Sequence, residues 1–388
     1  MNLNDYFDPV SLEKPTHHIL DNPSAFCRNI AIHTPNFPIH NLDQYKVAII
    51  GVPEDRNSIN AGSSQAPDKI RNKLYQLIRT SIKLKIFDLG NMKAGKTHDD
   101  TIFGLRDILQ ELNSLDIICI ILGGAHQLTY SSCLVWEEMQ KRYNLTVIDS
   151  HFDFETNPTT KSILAENFLN NVLLPNTHLF SYNNLGHQQY FSETAQTNWI
   201  ENNFHHAMRV GVIRTSIRET EPLLRDTHIL SVNMRSVRYA DSPGYIYPSP
   251  NGLNGEEICQ ISRYAGTSQN IRVFGIFEVN PLYDPQGISS YLAAQMTWYF
   301  IEGISQRTIE SLSSDNSGFK KFIIKNNQID PELVFYKSLL TDRWWMEIPV
   351  ITGKSHSSIV IACSEEDYKS ASSQLIPERW WKLFRKLN

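Results

Sequence analysis

The chain has 388 residues, 41% of them hydrophobic, which is enough to bury a sizeable core in one large α/β domain or two smaller ones. A formal net charge of -5 and a pI near 6.2, with no basic stripe before the last dozen residues, exclude an electrostatic case for nucleic acid. The opening stretch MNLNDYFDPVSLEKP lacks a basic region and an apolar core, and no window approaches 18 uninterrupted apolar residues, which excludes a membrane partner and indicates a cytoplasmic protein.

Residues 1–44 are rich in Asn, Pro and His without periodicity and read as an irregular N-terminal arm. From Lys46 the chain alternates eight strand-like runs (KVAIIGV, IKLKIFDLG, DIICIILGG, LTVIDSH, THLFSY, AMRVGVIR, HILSVNM, IRVFGIFEV) with helical patterns at Pro67–Ile78, Thr101–Leu112, Thr129–Tyr143 and Glu256–Tyr264. Such alternation predicts a three-layer α/β/α sandwich over residues 45–310, with a mainly parallel eight-stranded sheet covered on both faces. Ser289–Ile304 reads as a long apolar helix whose aromatics Tyr291, Trp298, Tyr299 and Phe300 belong to the core. Cys27, Cys119, Cys133, Cys259 and Cys363 are scattered, without C-x-x-C spacing, and read as reduced and structural. After polar SSDNSG the texture changes, and Arg-Trp-Trp occurs at 343–345 and again at 379–381. Tryptophan buries a large area and arginine stacks on its ring, so residues 311–388 are expected to pack on the core or at an interface.

Chemistry gathers at three strand ends. In LTVIDSHFD, Asp149, His151 and Asp153 alternate, so an extended chain points all three one way. Two carboxylates and an imidazole suit a hard or borderline divalent cation, although D-x-H-x-D alone is structural more often than not. IICIIL ends in Gly123-Gly124-Ala125-His126, and HILSV ends in Asn233-Met234-Arg235. Ligands of open parallel sheets bind beyond the carboxyl ends of the strands, so the three ends have a common place to meet. Gly123-Gly124 is too short for a phosphate-binding loop, and no Ser-His-Asp or Cys-His grouping is discernible.

These blocks resemble those of the ureohydrolases, the family of arginase, agmatinase and formimidoylglutamase, whose signatures read G-G-D-H, D-A-H-x-D and S-x-D-x-D. The chain offers GGAH at 123–126, DSHFD at 149–153 and SVNMR at 231–235. AGSSQAPDKIR (61–71), IFDLGN (86–91) and GIFEVNPLYD (275–284) extend the likeness over roughly residues 40–310. The resemblance implies an arginase-like fold and manganese held at His126, Asp149, His151, Asp153 and Asn233. It gives Asp153 and Glu278 catalytic roles, with the Glu278 carboxylate facing a guanidinium or amidine substrate, and it implies self-association. Read without the family, Glu278 is equally a satisfied buried acid.

Three departures matter. Asn233 and Arg235 stand where the family has ligand aspartates, and Ala125 replaces the aspartate of the first block. The remaining donors hold one manganese ion or none, and a full dinuclear site is not expected. Arg235 either turns inward as a charge replacing the metal, against Asp149 and Asp153, or turns to solvent. The family's loop histidine has no clear counterpart, His187 being the nearest. Two readings follow: a relative whose hydrolysis of linear amidines or guanidines is weakened or lost and which serves in binding or assembly, and an active formimidoylglutamase-like hydrolase using one metal or an unusual pair.

Overall fold

The computed structural model describes residues 1–11, 22–79, 83–158, 160, 162–173, 177–310, 312, 317–352 and 355–388. Part of the N-terminal arm (12–21) and most of the SSDNSG segment (313–316) lie outside the described residues. In chain order the elements are β1 (Phe7–Asp8), β2 (Ala31–Ile32), β3 (Val47–Gly51), α1 (Ala66–Leu74), β4 (Ile86–Met92), α2 (His98–Ser114), β5 (Ile118–Leu122), α3 (Thr129–Glu138), β6 (Tyr143–Ile148) and β7 (Leu179–His187). There follow α4 (Thr194–Asn202), β8 (His206–Arg209), α5 (Val210–Thr215), α6 (Thr220–Arg225), β9 (Ile229–Asn233), α7 (Gly255–Gly266), β10 (Val273–Phe277) and α8 (Ile288–Ser305). The chain ends with β11 (Phe319–Ile324), β12 (Leu333–Ser338), β13 (Trp344–Thr352), β14 (Ser355–Cys363), α9 (Glu365–Ser372) and α10 (Glu378–Leu387).

Strands form in all eight predicted runs and make one parallel sheet in the order β4-β3-β5-β10-β9-β6-β7-β8, although AMRVGVIR is strand only to Arg209 and its VGVIR portion lies in α5. Two short strands of the N-terminal arm extend it beside β4, β2 parallel and β1 antiparallel. Their two-residue pairings are too short to leave a periodic signal. In β3, Val47 and Ile49 face one apolar layer with α1, α7 and α8, while Ala48 and Ile50 face the other with α2 and α3. Burial on both faces explains why these strands read as continuous apolar runs. The third predicted helix stops at Glu138, and Tyr143 already begins β6. On α8 only Phe300 of the four aromatics is fully buried; Tyr291 and Tyr299 are exposed. At 100° per residue, Phe300 shares the buried stripe of Ala293, Met296 and Thr297, whereas Tyr291, Trp298 and Tyr299 lie on another. Among the described residues no helix is long and apolar enough to cross a membrane.

Residues 319–387 build a separate antiparallel sheet, β11-β12-β13-β14, covered by α9 and α10 around Trp344, Met346, Ile348 and Trp380. Trp344 stacks on Tyr368 and Trp380 on Phe384, while Trp381 is 41% exposed. Buried Arg225 of α6 joins this unit to the larger sheet: it donates to the Trp344 carbonyl at 2.8 Å and lies over the Trp345 ring at 4.7 Å. The Asp226 carboxylate accepts the Ala362 N–H at 2.9 Å. Deleting residues 311–388 would remove the carbonyl and ring that Arg225 contacts, leaving it, among the described residues, only Glu221 at 2.5 Å, and would uncover this apolar face, so the truncated chain is expected to unfold at several kcal/mol less. Equal denaturation midpoints for the two chains would reject that account.

Candidate functional site

The first strand end depends on two glycines. Gly123 and Gly124 follow β5 at φ 86° and 74°, and a Cβ on Gly124 would sit 2.5 Å from the Val52 carbonyl oxygen. Only glycine makes this turn without strain, and it carries His126 beneath the carboxyl edge of the sheet. The imidazole is fully buried between the rings of Phe168 and Phe277, at centroid distances of 4.9 and 5.8 Å.

The second strand end departs from simple alternation. β6 stops at Ile148, so Asp149, His151 and Asp153 lie on a bending loop instead of an extended chain. Both carboxylates turn inward and are buried. The His151 ring turns outward, stacks on Phe191 at 4.3 Å and contacts the Ser150 hydroxyl at 2.8 Å; its Nδ1 is 4.0 Å from Asp149.

From the third end, after β9, Arg235 turns inward. Its Nε donates to Asp149 Oδ1 at 2.8 Å and one Nη to Asp149 Oδ2 at 3.0 Å, the same Nη also donating to Asp153 Oδ1. Asp153 Oδ2 lies 2.8 Å from His126 Nδ1, and Asn233 Nδ2 lies 3.2 Å from that same nitrogen. The Asn233 side-chain oxygen accepts the Arg235 backbone N–H at 3.1 Å. Burial by itself opposes the charge on Asp153, but the Arg235 guanidinium and the His126 contact outweigh it and hold the carboxyl well below the usual range. Burial likewise opposes the charge on Arg235, and the two carboxylates overcome it. His151 is shifted toward the neutral form by burial and then by Arg235.

Glu278 follows β10 in the left-handed region at φ 66° and is buried. Its carboxylate accepts the His126 backbone N–H at 2.8 Å, the Asn60 amide at 3.0 Å and the Ser58 hydroxyl at 3.2 Å. Burial pushes its pKa up to about 7 against these donors, and among the described residues no lysine or arginine pairs with it.

The donor set does not fit a dinuclear metal centre. One guanidinium already engages oxygens of both aspartates, the oxygen of Asn233 is taken by a backbone N–H, and His151 points away. A smaller set remains: ligand atoms of His126, Asp149 and Asp153 lie within 4.8 Å of one another.

Several members of the site were not legible in the sequence. Ser231 Oγ lies 3.0 Å from His126 Nε2 and 2.6 Å from Thr129 Oγ1, so Ser231, His126 and Asp153 do form a connected Ser-His-Asp line. It is buried throughout and orients the imidazole. Ser231 stands two residues before Asn233 on β9, and strand alternation was the available signal. Ser58 and Asn60 come from the loop after β3, where nothing distinguishes them from ordinary turn residues. His187 is buried 5.0 Å from Phe152, and its Nδ1 has no hydrogen-bond partner among the described residues. Burial lowers its pKa to about 4.

A model of the arginase family matches residues 45–302, from β3 to the last turns of α8. The chain belongs to that family. It is 24% identical to a formimidoylglutamase of Bacillus subtilis over 281 residues, covering 66% of this chain and 86% of the relative, and 25% identical to one of Staphylococcus haemolyticus over 67% and 86%. The solved structure of the Bacillus subtilis enzyme superposes with a TM-score of 0.65 at 21% identity, covering 77% of this chain and 98% of that one. A Trypanosoma cruzi formiminoglutamase solved with two manganese ions gives 0.64 at 18%, covering 70% and 97%. These likenesses establish the arginase-like fold, and the matched region ends before β11.

Proposed function

We propose that this arginase-family chain has exchanged the manganese hydrolase centre of its relatives for an internal salt-bridge network, and serves in binding or assembly. The observation that carries the reading is the Arg235 guanidinium bridging Asp149 and Asp153. Two manganese ions would lower the pKa of a shared water and supply hydroxide at neutral pH. Arginine supplies positive charge to the same carboxylates but cannot coordinate a water oxygen as a metal does and, staying protonated, cannot take the water's proton, so it neutralises the pocket without making a nucleophile. A small amidine or guanidine ligand and a homo-oligomer are the partners that family membership suggests.

Release of urea or formamide from arginine, agmatine and formimidoylglutamate is therefore expected at background, with manganese in the buffer. Saturable turnover abolished by a chelator would overturn the proposal. The second reading, a hydrolase with one ion, is favoured by the convergence of His126, Asp149 and Asp153. Metal analysis after purification in manganese-containing buffer separates the two: one tightly held equivalent per chain supports the second and none supports the first.

A further inference from the structure

A cavity of about 430 Å³ lies where the loop between β6 and β7 meets α4, the turn after it and the C-terminal α10. Its size is that of small-molecule pockets in general. Phe154, Leu173 and Trp199 form apolar walls, with Phe154 and Trp199 at 5.4 Å between ring centroids and Trp199 stacked on His205 at 5.7 Å. Two donors lack acceptors. His205 is 6% exposed, and its Nδ1 accepts the Tyr182 backbone N–H at 3.1 Å. That fixes the proton on Nε2, which has no hydrogen-bond partner among the described residues and belongs to a ring lining the cavity. Lys386, from α10, contributes an ammonium with no carboxylate within ion-pair distance among the described residues; its recorded contact is the Phe180 ring at 5.5 Å.

We infer that this cavity binds a small monocarboxylate carrying a planar apolar body. The charge inventory selects one negative charge. Lys382 on the same helix is taken by Glu378 at 2.6 Å, Arg385 lies over the Phe204 and Trp381 rings and does not line the cavity, Arg142 lies over the Phe180 ring at 5.8 Å, and Glu155 stands exposed at the rim. A single ammonium and one neutral N–H match the two oxygens of a carboxylate, whereas a phosphate dianion would leave a charge unmatched. Half-buried Trp199 and Leu173, backed by buried Phe154, supply the apolar surface for a planar group. The site is built jointly by the arginase-family domain and the C-terminal unit, and neither Arg235 nor its two aspartates lines it. Burial lowers the Lys386 pKa to about 8, so the ammonium is present at pH 7 and is lost as pH rises through and beyond 8.

The test is calorimetric titration of the full chain with phenylacetate and with phenylacetamide, its neutral counterpart of nearly the same shape. At pH 7 the acid is expected to bind about tenfold or more tightly than the amide. Lys386→Met, which keeps the apolar stem, should remove that difference and leave amide binding unchanged. Raising the pH to about 9.5 should do the same without any substitution. Equal affinity for acid and amide, a Lys386→Met chain that still prefers the acid, or no saturable binding of phenylacetate at millimolar concentration would overturn the inference.

Discussion

Arg235→Ala is expected to lower the unfolding free energy by about 3–5 kcal/mol at pH 7, because it leaves Asp149 and Asp153 buried without their cation. Removing one partner of a buried pair costs more than the pair itself contributes, since the stranded charges must be protonated or hydrated in a pocket closed around them. The pH dependence has a definite sign. The folded-state pKa of Asp153 lies below its unfolded value, so its contribution is present above about pH 4 and is lost as pH falls toward the folded value. The gap between wild type and variant should be widest at neutral pH and close in acid. Arg235→Lys should fall between, because an ammonium cannot span both carboxylates in the same forked geometry. Denaturant titrations from pH 3 to pH 7 supply the measurement. An Arg235→Ala loss below about 1 kcal/mol at pH 7 would show that the network is exchangeable with water and contributes little.

The parallel sheet was legible because its strands are buried on both faces and therefore stand out as apolar runs, as Ile118–Leu122 does without a single polar residue. What escaped has a physical reason in each case. β1 and β2 are edge strands held by a pair of register partners each, in an arm whose Asn, Pro and His content shows no periodicity. The extended-chain reading of Asp149, His151 and Asp153 failed at His151 because pleating ends with β6 at Ile148, and beyond a strand side-chain direction is set by loop packing. The inward turn of Arg235 was one of two alternatives, since sequence names the charges but not the distance between strand ends. The side-chain donors to Glu278 are Ser58 and Asn60, more than 200 residues earlier, and such long-range pairing leaves no local trace. The cavity at Lys386 was hidden for the same reason, its walls being drawn from four separate stretches of chain.

The double substitution Asn233→Asp with Arg235→Asp is expected to make stability depend on manganese where the wild-type chain is indifferent to it. It removes the guanidinium and places four carboxylates, at 149, 153, 233 and 235, around His126, so in chelator the folded state is destabilised by like-charge repulsion in a buried site. A divalent cation that binds only the folded state reverses this by mass action, by about 2.7 kcal/mol when its concentration is a hundred times the dissociation constant. The first ion should return before the second. His126, Asp149 and Asp153 already converge within 4.8 Å, whereas His151 must leave Phe191 and the Ser150 hydroxyl to face inward, which sets occupancy at one equivalent at low manganese. Each single variant should respond less than the pair: Asn233→Asp retains the arginine that competes for the carboxylates, and Arg235→Asp keeps a neutral amide at 233 where a ligand carboxylate is wanted. Melting curves of the four chains in manganese and in chelator, with bound metal counted after desalting, decide the matter. A double variant with the same midpoint in both buffers would mean that the loss of the metal centre lies in the backbone of the 149–153 loop and not in the two exchanged side chains.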